Sequence, residues 1–528
     1  MEKINTRKVF LVIIIILILL VIALFIGKFT FSYLAPDVGE DASNKGEITA
    51  SGDTIIFNTG KALSLSATAD NFTTGGTNLT DTSNPTAKLV ASSKTNKADA
   101  TYYVGVYIKN NTYTYSTTDK TPEVLLTIKD EKGSNVTSVD GLTYATSGGV
   151  SGFDITDKSG LFNVKTDYPI STTSSSTGTT HTWTFTLTFV NLSTDQSVNE
   201  NANMNIDVYL QTKPFPSTVA DVCSGGETLA SCITTLSQKS ISQATNIYYH
   251  DVSLANGAGD NSYRYSGANP NNYVCFGSNE STCPTDNLYR IIGVFGNNVK
   301  LIKYDYGTTD ELGTDGDYYQ TYKELGMDST YKGTYGDGER IGVYYWNTTT
   351  QKNTWSESLL NKTNLNTNFI NNIGEEWANK IATTTWKVGG NTYSNIYLKT
   401  PSVVYQNEIV NPVTTNTTDN ATEYTAKIGL MYVSDYGFAA EPSAWTLTMG
   451  NYNNTTATST NWMYMGLYEW TISRYADSSN RAFDVGDVGR VDHYDVGRRN
   501  AVRPSFNLES SITYLSGSGS ASDPMVIN

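Results

Sequence analysis

An unbroken apolar run from Val9 to Gly27 constrains this chain more than any other feature. It carries no charge. At ~1.5 Å per residue a helix over it is about 28 Å long, enough for a hydrocarbon core of roughly 30 Å. A helix buried in a soluble domain would show a polar face, and this one has none. Lys3, Arg7 and Lys8 precede the run against a single Glu2, while Asp37, Glu40 and Asp41 follow Lys28. That basic excess predicts residues 1–8 in the cytoplasm, a transmembrane anchor over 9–27 and the remainder outside. The competing reading is a cleaved signal peptide with secretion. Its apolar region is usually ~7–15 residues, and the small-x-small cleavage pattern is poor here, with Tyr33 two places before Ala35 and Pro36 after it. The anchor is preferred, and both readings send residues 36–528 outside the cell.

With 528 residues, the chain has room for two or three domains. Only 16% of residues are charged, against about 25% in ordinary soluble domains. The surface must therefore rest on Asn, Thr, Ser, Gly and Tyr, the last present 36 times. The net charge is −15, and beyond the N-terminus no basic patch exceeds Arg498-Arg499. Binding nucleic acid by phosphate neutralisation is thereby disfavoured. The four cysteines, Cys223, Cys232, Cys275 and Cys283, should pair outside the cell. Three connectivities are open. The local one, Cys223–Cys232 with Cys275–Cys283, is preferred because each pair brackets a short loop rich in Gly, Ser or Asn. Their spacings fit no zinc-knuckle pattern.

Residues 28–53 read as a stalk. From 54 to 212 the pattern is that of strands. Trp183, Phe185, Leu187 and Phe189 alternate with threonines, as Met204, Ile206, Val208 and Leu210 alternate with mostly polar residues. Period-two patterning means one face on a core and one in water. No long helix interrupts it, so an all-β sandwich is expected. Pro214-Phe215-Pro216 marks a boundary. Residues 213–528 mix helical spacing, as at Leu229, Cys232, Ile233 and Leu236, with strands, and are expected to be α+β. Leu288–Phe295 and Val299–Tyr304 predict a hairpin, Lys427–Val433 a strand, and Asp477–Arg499 loops.

Five segments carry a resemblance: NLYRIIGVF at 287–295, IGLMYVSDYGFA at 428–439, NWMYMGLYEWTISR at 461–474, VRPSFNLESSITYLSGSG at 502–519 and DPMVI at 523–527. In this order they resemble a module of predicted surface proteins of Firmicutes-type bacteria, covering roughly 220–528. The layout is similar to the C-type-lectin-like fold shared by formylglycine-generating enzymes and variable receptor-binding proteins. The N-terminal half resembles the Ig-like sandwiches of camelysin-type matrix proteins. The resemblance implies a multidomain protein: transmembrane helix, all-β Ig-like sandwich, then an α+β C-type-lectin-like domain.

The enzymatic reading lacks a reactive centre. Formylglycine-generating enzymes use cysteines late in the domain, and here all four precede residue 284. The three histidines, His181, His250 and His493, adjoin no Gly-x-Ser-x-Gly motif. His493 beside Asp492 is an acid/base candidate, yet an exposed loop histidine among acids is the commoner case. Nothing fixes a carboxylate pair such as Glu375 or Glu376 at glycosidase separation. Asp484, Asp487, Asp492 and Asp495 are calcium candidates, as are Asp310, Asp315, Asp317, Asp337 and Glu339, but neither stretch has EF-hand spacing. No other cofactor is implied. The binding candidates are Trp462, Tyr464, Tyr468, His493, Arg498 and Arg499, aromatic and basic groups expected on loops. Arg474 and Arg503 are expected to pair with buried carboxylates. The leading expectation is a tethered adhesin-like module for an extracellular glycan or protein. A matrix or fibre subunit is the alternative, and an extracellular enzyme the third reading.

Overall fold

A computed structural model describes residues 45–50, 53–68, 76–109, 111–326, 331–336, 338–412 and 421–528. The apolar run at 9–27 lies outside the described residues, as do most of the expected stalk and Asp337. Among the described residues no helix is long and apolar enough to cross a membrane. The chain forms two compact units divided between Pro214 and Phe215. It is rich in β-sheet, distributed over several sheets.

In the first unit the alternating residues make strands around one core. Met204, Ile206, Val208 and Leu210 of Asn203–Gln211 are buried, with the residues between them more exposed. They join Tyr102, Val104, Val106 and Ile108 of Ala98–Lys109 and Val124, Leu126 and Ile128 of Val124–Lys129 in a single apolar cluster. Asn203–Gln211 lies between Ala98–Lys109 and Leu63–Ser66, both antiparallel to it. The run read as one strand over 182–189 is instead divided at Trp183. Thr179–Thr182 pairs with Thr86–Val90, while Thr184–Phe189 pairs with Leu79–Ser83 and Val124–Lys129 in another sheet. The partner chain breaks at the same level, at Pro85, whose ring nitrogen cannot donate to a ladder. Its carbonyl accepts from Trp183 N at 3.0 Å. Trp183 turns fully inward and its Nε1 donates to Tyr102 Oη at 2.8 Å.

In the second unit, Leu288–Phe295 and Asn298–Lys303 form the expected antiparallel hairpin. Their sheet runs Ile247–His250, Ser262–Tyr265, Leu288–Phe295, Asn298–Lys303, Ser505–Asn507, Ile428–Gly429. A six-stranded sheet runs Tyr318–Thr321, Gly342–Tyr345, Arg499–Ala501, Glu469–Arg474, Arg481–Val485, Val491–Asp495. Two expectations are corrected here. The strand over 427–433 is reduced to Ile428–Gly429, because Asp435 Oδ2 accepts from Tyr432 N at 3.0 Å and starts the helix Val433–Ala439. Residues 477–499 are not simply loops: Arg481–Val485 and Val491–Asp495 form a hairpin, with Ala482, Phe483, Val485 and Val491 buried. Its turn closes through Gly486 N to Arg490 O at 2.8 Å, and Gly489 takes φ +92°, which an L side chain rarely adopts.

The low charge content is offset by amides. Leu360–Phe369 winds as a π-helix whose asparagines staple neighbouring backbone. Asn364 Nδ2 donates to Leu312 O at 2.8 Å and its Oδ1 accepts from Asp317 N at 3.0 Å. Asn366 both donates to and accepts from the backbone of Ile428. The chain forms Cys223–Cys232 and Cys275–Cys283, the local pairing.

Candidate functional site

The candidate residues meet on the hairpin Arg481–Val485/Val491–Asp495, and its two faces differ. On one, the guanidinium of Arg498 lies 3.7 Å from the ring centroid of Tyr494 and 4.4 Å from that of Tyr468. The two rings meet edge to face at 6.3 Å. Beside them, exposed Arg499 lies 4.4 Å from the ring of Tyr319, which packs edge-on against Tyr345. A guanidinium held over aromatic rings keeps its N–H groups in the plane of the ion, available to an incoming acceptor. Tyr468, Tyr494 and Arg498 are half-buried, so the cluster stays accessible.

On the other face, the imidazole of His493 stacks on Tyr475 at 4.2 Å and meets Tyr393 edge-on at 5.3 Å. Tyr393 in turn stacks on Tyr397 at 4.4 Å. His493 Nδ1 lies 3.4 Å from Arg481 Nη1. Burial lowers the His493 pKa, Asp492 opposes that shift, and Arg481 reinforces it. Stacked between Tyr475 and Tyr393, the ring offers a flat aromatic surface.

Beneath the Arg498 face lies a buried acid. Asp484 stands opposite Asp492 in the ladder and is fully buried. Its Oδ2 accepts from Asn500 Nδ2 at 2.9 Å, while Asp484 Oδ1 and Asn500 Oδ1 have no partner. Burial raises its pKa to about 7, against the lowering pull of Arg498 and of Asn500. A proton on Asp484 supplies a donor at a place that otherwise holds two unmatched acceptors.

Other candidates are placed differently. Trp462 and Tyr464 are only 4% and 7% exposed, so they are core residues and not part of the accessible cluster. Trp462 Nε1 donates to Tyr265 O at 2.9 Å and its ring covers the Arg290 guanidinium at 4.6 Å. Tyr464 Oη donates to Asp487 O at 2.6 Å. Among the described residues the calcium candidates form no group of three. Asp495 caps the next turn through Gly497 N and accepts from Asn480, and Asp492 faces Arg490 at 3.3 Å. Asp317 already accepts from Thr348 and Leu360. Among the described residues, the one grouping of three ligand-type side chains is Cys223, Glu227 and Cys232, and those cysteines are bonded to each other. Glu375 and Glu376 are exposed on the short helix Glu375–Ala378.

The two singled-out arginines diverge. Arg503 Nε and Nη2 each reach a carboxylate oxygen of buried Glu469 at 2.8 Å. Arg474, also buried, donates from Nε to Val388 O at 3.2 Å, and among the described residues no carboxylate pairs with it. Sequence reasoning missed Tyr494, Tyr475, Tyr393 and Tyr319. Tyr494 was detectable, since it adjoins His493 and alternates with it across the strand, and Tyr475 directly follows Arg474; Tyr393 and Tyr319 come from segments remote in sequence. Protein-family models, curated proteins and solved structures were compared with the chain, and none matches.

Proposed function

We propose that this chain is a surface protein tethered by a helix over 9–27, with a C-type-lectin-like second unit acting as an adhesin-like module for an extracellular glycan or protein. The observation that carries the reading is the accessible group of Arg498, Tyr468 and Tyr494, flanked by Arg499 and Tyr319. Stacked arginine and tyrosine offer flat apolar faces and fixed donors together, the chemistry that grips the ring face and hydroxyls of a sugar or a polar protein loop. Two disulfides fit an oxidising, extracellular setting. In this reading the first unit is an Ig-like sandwich that serves as a spacer. The test is a glycan and mucin array probed with the full chain in detergent micelles, with calcium and with chelator. Saturable binding that Arg498→Ala or Tyr494→Ala reduces at least tenfold, with unchanged melting temperature, supports the reading. A blank array from folded protein turns the weight to protein ligands.

A matrix or fibre subunit is the second reading, favoured by one feature of the first unit. Thr143–Ser147 (TYATS) ends its five-stranded sheet and carries no charge. Uncharged edge strands are templates for pairing with another chain. Concentration-dependent assembly abolished by Ala145→Lys supports this reading, and a monomer at all concentrations removes it.

A further inference from the structure

Among the described residues, two lysines of the strand Asn298–Lys303 are buried, and their surroundings differ. The ammonium of Lys303 meets Glu311 Oε1 at 3.0 Å, Asp286 O at 3.0 Å and Tyr335 Oη at 3.3 Å. Three N–H donors thus find three oxygen acceptors, as a buried ammonium requires. Lys300, 5% exposed, has one oxygen acceptor among the described residues: its Nζ donates to Oδ2 of Asp435, itself 3% exposed. The ring centroids of Tyr432, Trp386 and Phe295 lie 4.4, 5.4 and 5.9 Å from that Nζ. Ring faces attract a cation, yet they do not replace two missing oxygen acceptors. A second cation shares the carboxylate, since Arg264 Nη1 stands 3.7 Å from Asp435 Oδ1. Burial lowers the Lys300 pKa, Asp435 opposes that shift, and Arg264 adds to it.

These surroundings suit an amide better than an ion pair. An amide nitrogen carries one N–H, and condensation removes both buried charges. The geometry also permits the reaction. A nitrogen bonded to one carboxyl oxygen stands roughly 3–3.5 Å from the carboxyl carbon, the separation of a near-attack pair. A desolvated lysine amine is a nucleophile. The step balances within the pair. One ammonium proton passes from Lys300 Nζ to Asp435 Oδ2 along their hydrogen bond, leaving a neutral amine and a neutral acid. Nζ then attacks Cγ, and the charge that forms on Oδ1 faces the Arg264 guanidinium. A second proton moves from Nζ to Oδ2, the Cγ–Oδ2 bond breaks, and one water leaves.

We propose that Lys300 and Asp435 are a self-modification site, joined after folding by a side-chain amide bond that ties the strand Asn298–Lys303 to the helix Val433–Ala439. The bond spans 135 positions of the chain and holds whether or not the Arg498 surface binds a ligand. The test is mass spectrometry of the full chain, folded in detergent micelles, then denatured, reduced and digested with a protease that cuts after free lysine. The expected result is one branched fragment containing both Lys300 and Asp435, lighter by one water than its two segments together, with no cleavage after Lys300. Lys303, whose ammonium is fully matched, is the internal control and should be cut. Lys300→Met and Asp435→Ala should each remove the branched fragment; should both variants fail to fold, the digest of the parent protein decides alone. Two separate segments at their full sequence masses, cleavage after Lys300 in the folded parent protein, or a branched fragment that persists in Lys300→Met overturns the proposal.

Discussion

Asp484 is ionisable, buried and only half matched, so its proton is a stability variable. Its ordinary value is 3.8 and the folded value about 7, raised by burial. The folded chain therefore holds an extra proton between those values. The sign follows: this group's contribution is most favourable below pH 4, is lost as pH rises towards 7, and stays lost above it. Asp484→Asn mimics the protonated acid at every pH. Melting curves should show no gain at pH 4 and a gain on the order of 2–4 kcal/mol at pH 8. An equal effect at both pH values would falsify a raised carboxyl there. Arg503 and Glu469 form a buried pair: Glu469 raises the Arg503 pKa, while burial raises that of Glu469 against the lowering pull of Arg503. Glu469→Gln leaves the guanidinium uncompensated and should cost about 3–5 kcal/mol in denaturant unfolding. A cost below ~1 kcal/mol would mean that Met463 O, which also accepts from Arg503, suffices.

At the scale of elements, close backbone approach decides one position in the central hairpin. A Cβ on Gly293 would stand 2.4 Å from the carbonyl oxygen of Tyr263 on the neighbouring strand. Gly293 stands opposite Arg264, and Val294 opposite Tyr263, in the antiparallel ladder with Ser262–Tyr265. Gly293→Ala should destabilise by about 1–3 kcal/mol, since the obstacle is backbone and cannot rotate away. Gly296→Ala is the contrast. Nothing lies within 4 Å of its added Cβ, and its cost is conformational alone, from φ +61°. Equal losses at the two positions would remove the packing argument. The hairpin itself was legible in sequence from its apolar runs and the Gly296-Asn297-Asn298 turn. The hairpin under the candidate site was not, because Asp484, Asp492 and His493 occupy strand positions and hide the period-two pattern.

For the whole molecule, the two units differ in how they are covalently secured. Both disulfides lie in the second, each closing a short loop. Each is expected to add about 2–3 kcal/mol by limiting the unfolded chain. Reduction should lower the melting of the second unit on the order of 5–10 °C and leave the first unmoved. Scanning calorimetry with and without reductant reads this directly. A shift in both transitions, or in neither, would contradict the assignment.

The sequence by itself determined the β character of the first unit, the boundary near Pro214 and the main hairpin of the second, and favoured the local cysteine pairing among three. Each rests on residues close along the chain, where alternation, turn chemistry and loop length act locally. Tertiary structure alone decided which polar groups are matched. Arg474 and Arg503 read alike in sequence, yet Arg503 meets Glu469 and Arg474 donates to the carbonyl of Val388. Trp462 and Tyr464 read like Tyr468, yet the first two face the core. These outcomes depend on segments a hundred or more residues away, as with Tyr319 under Arg499. Side-chain burial is set by the packing of whole sheets, which short-range pattern does not encode.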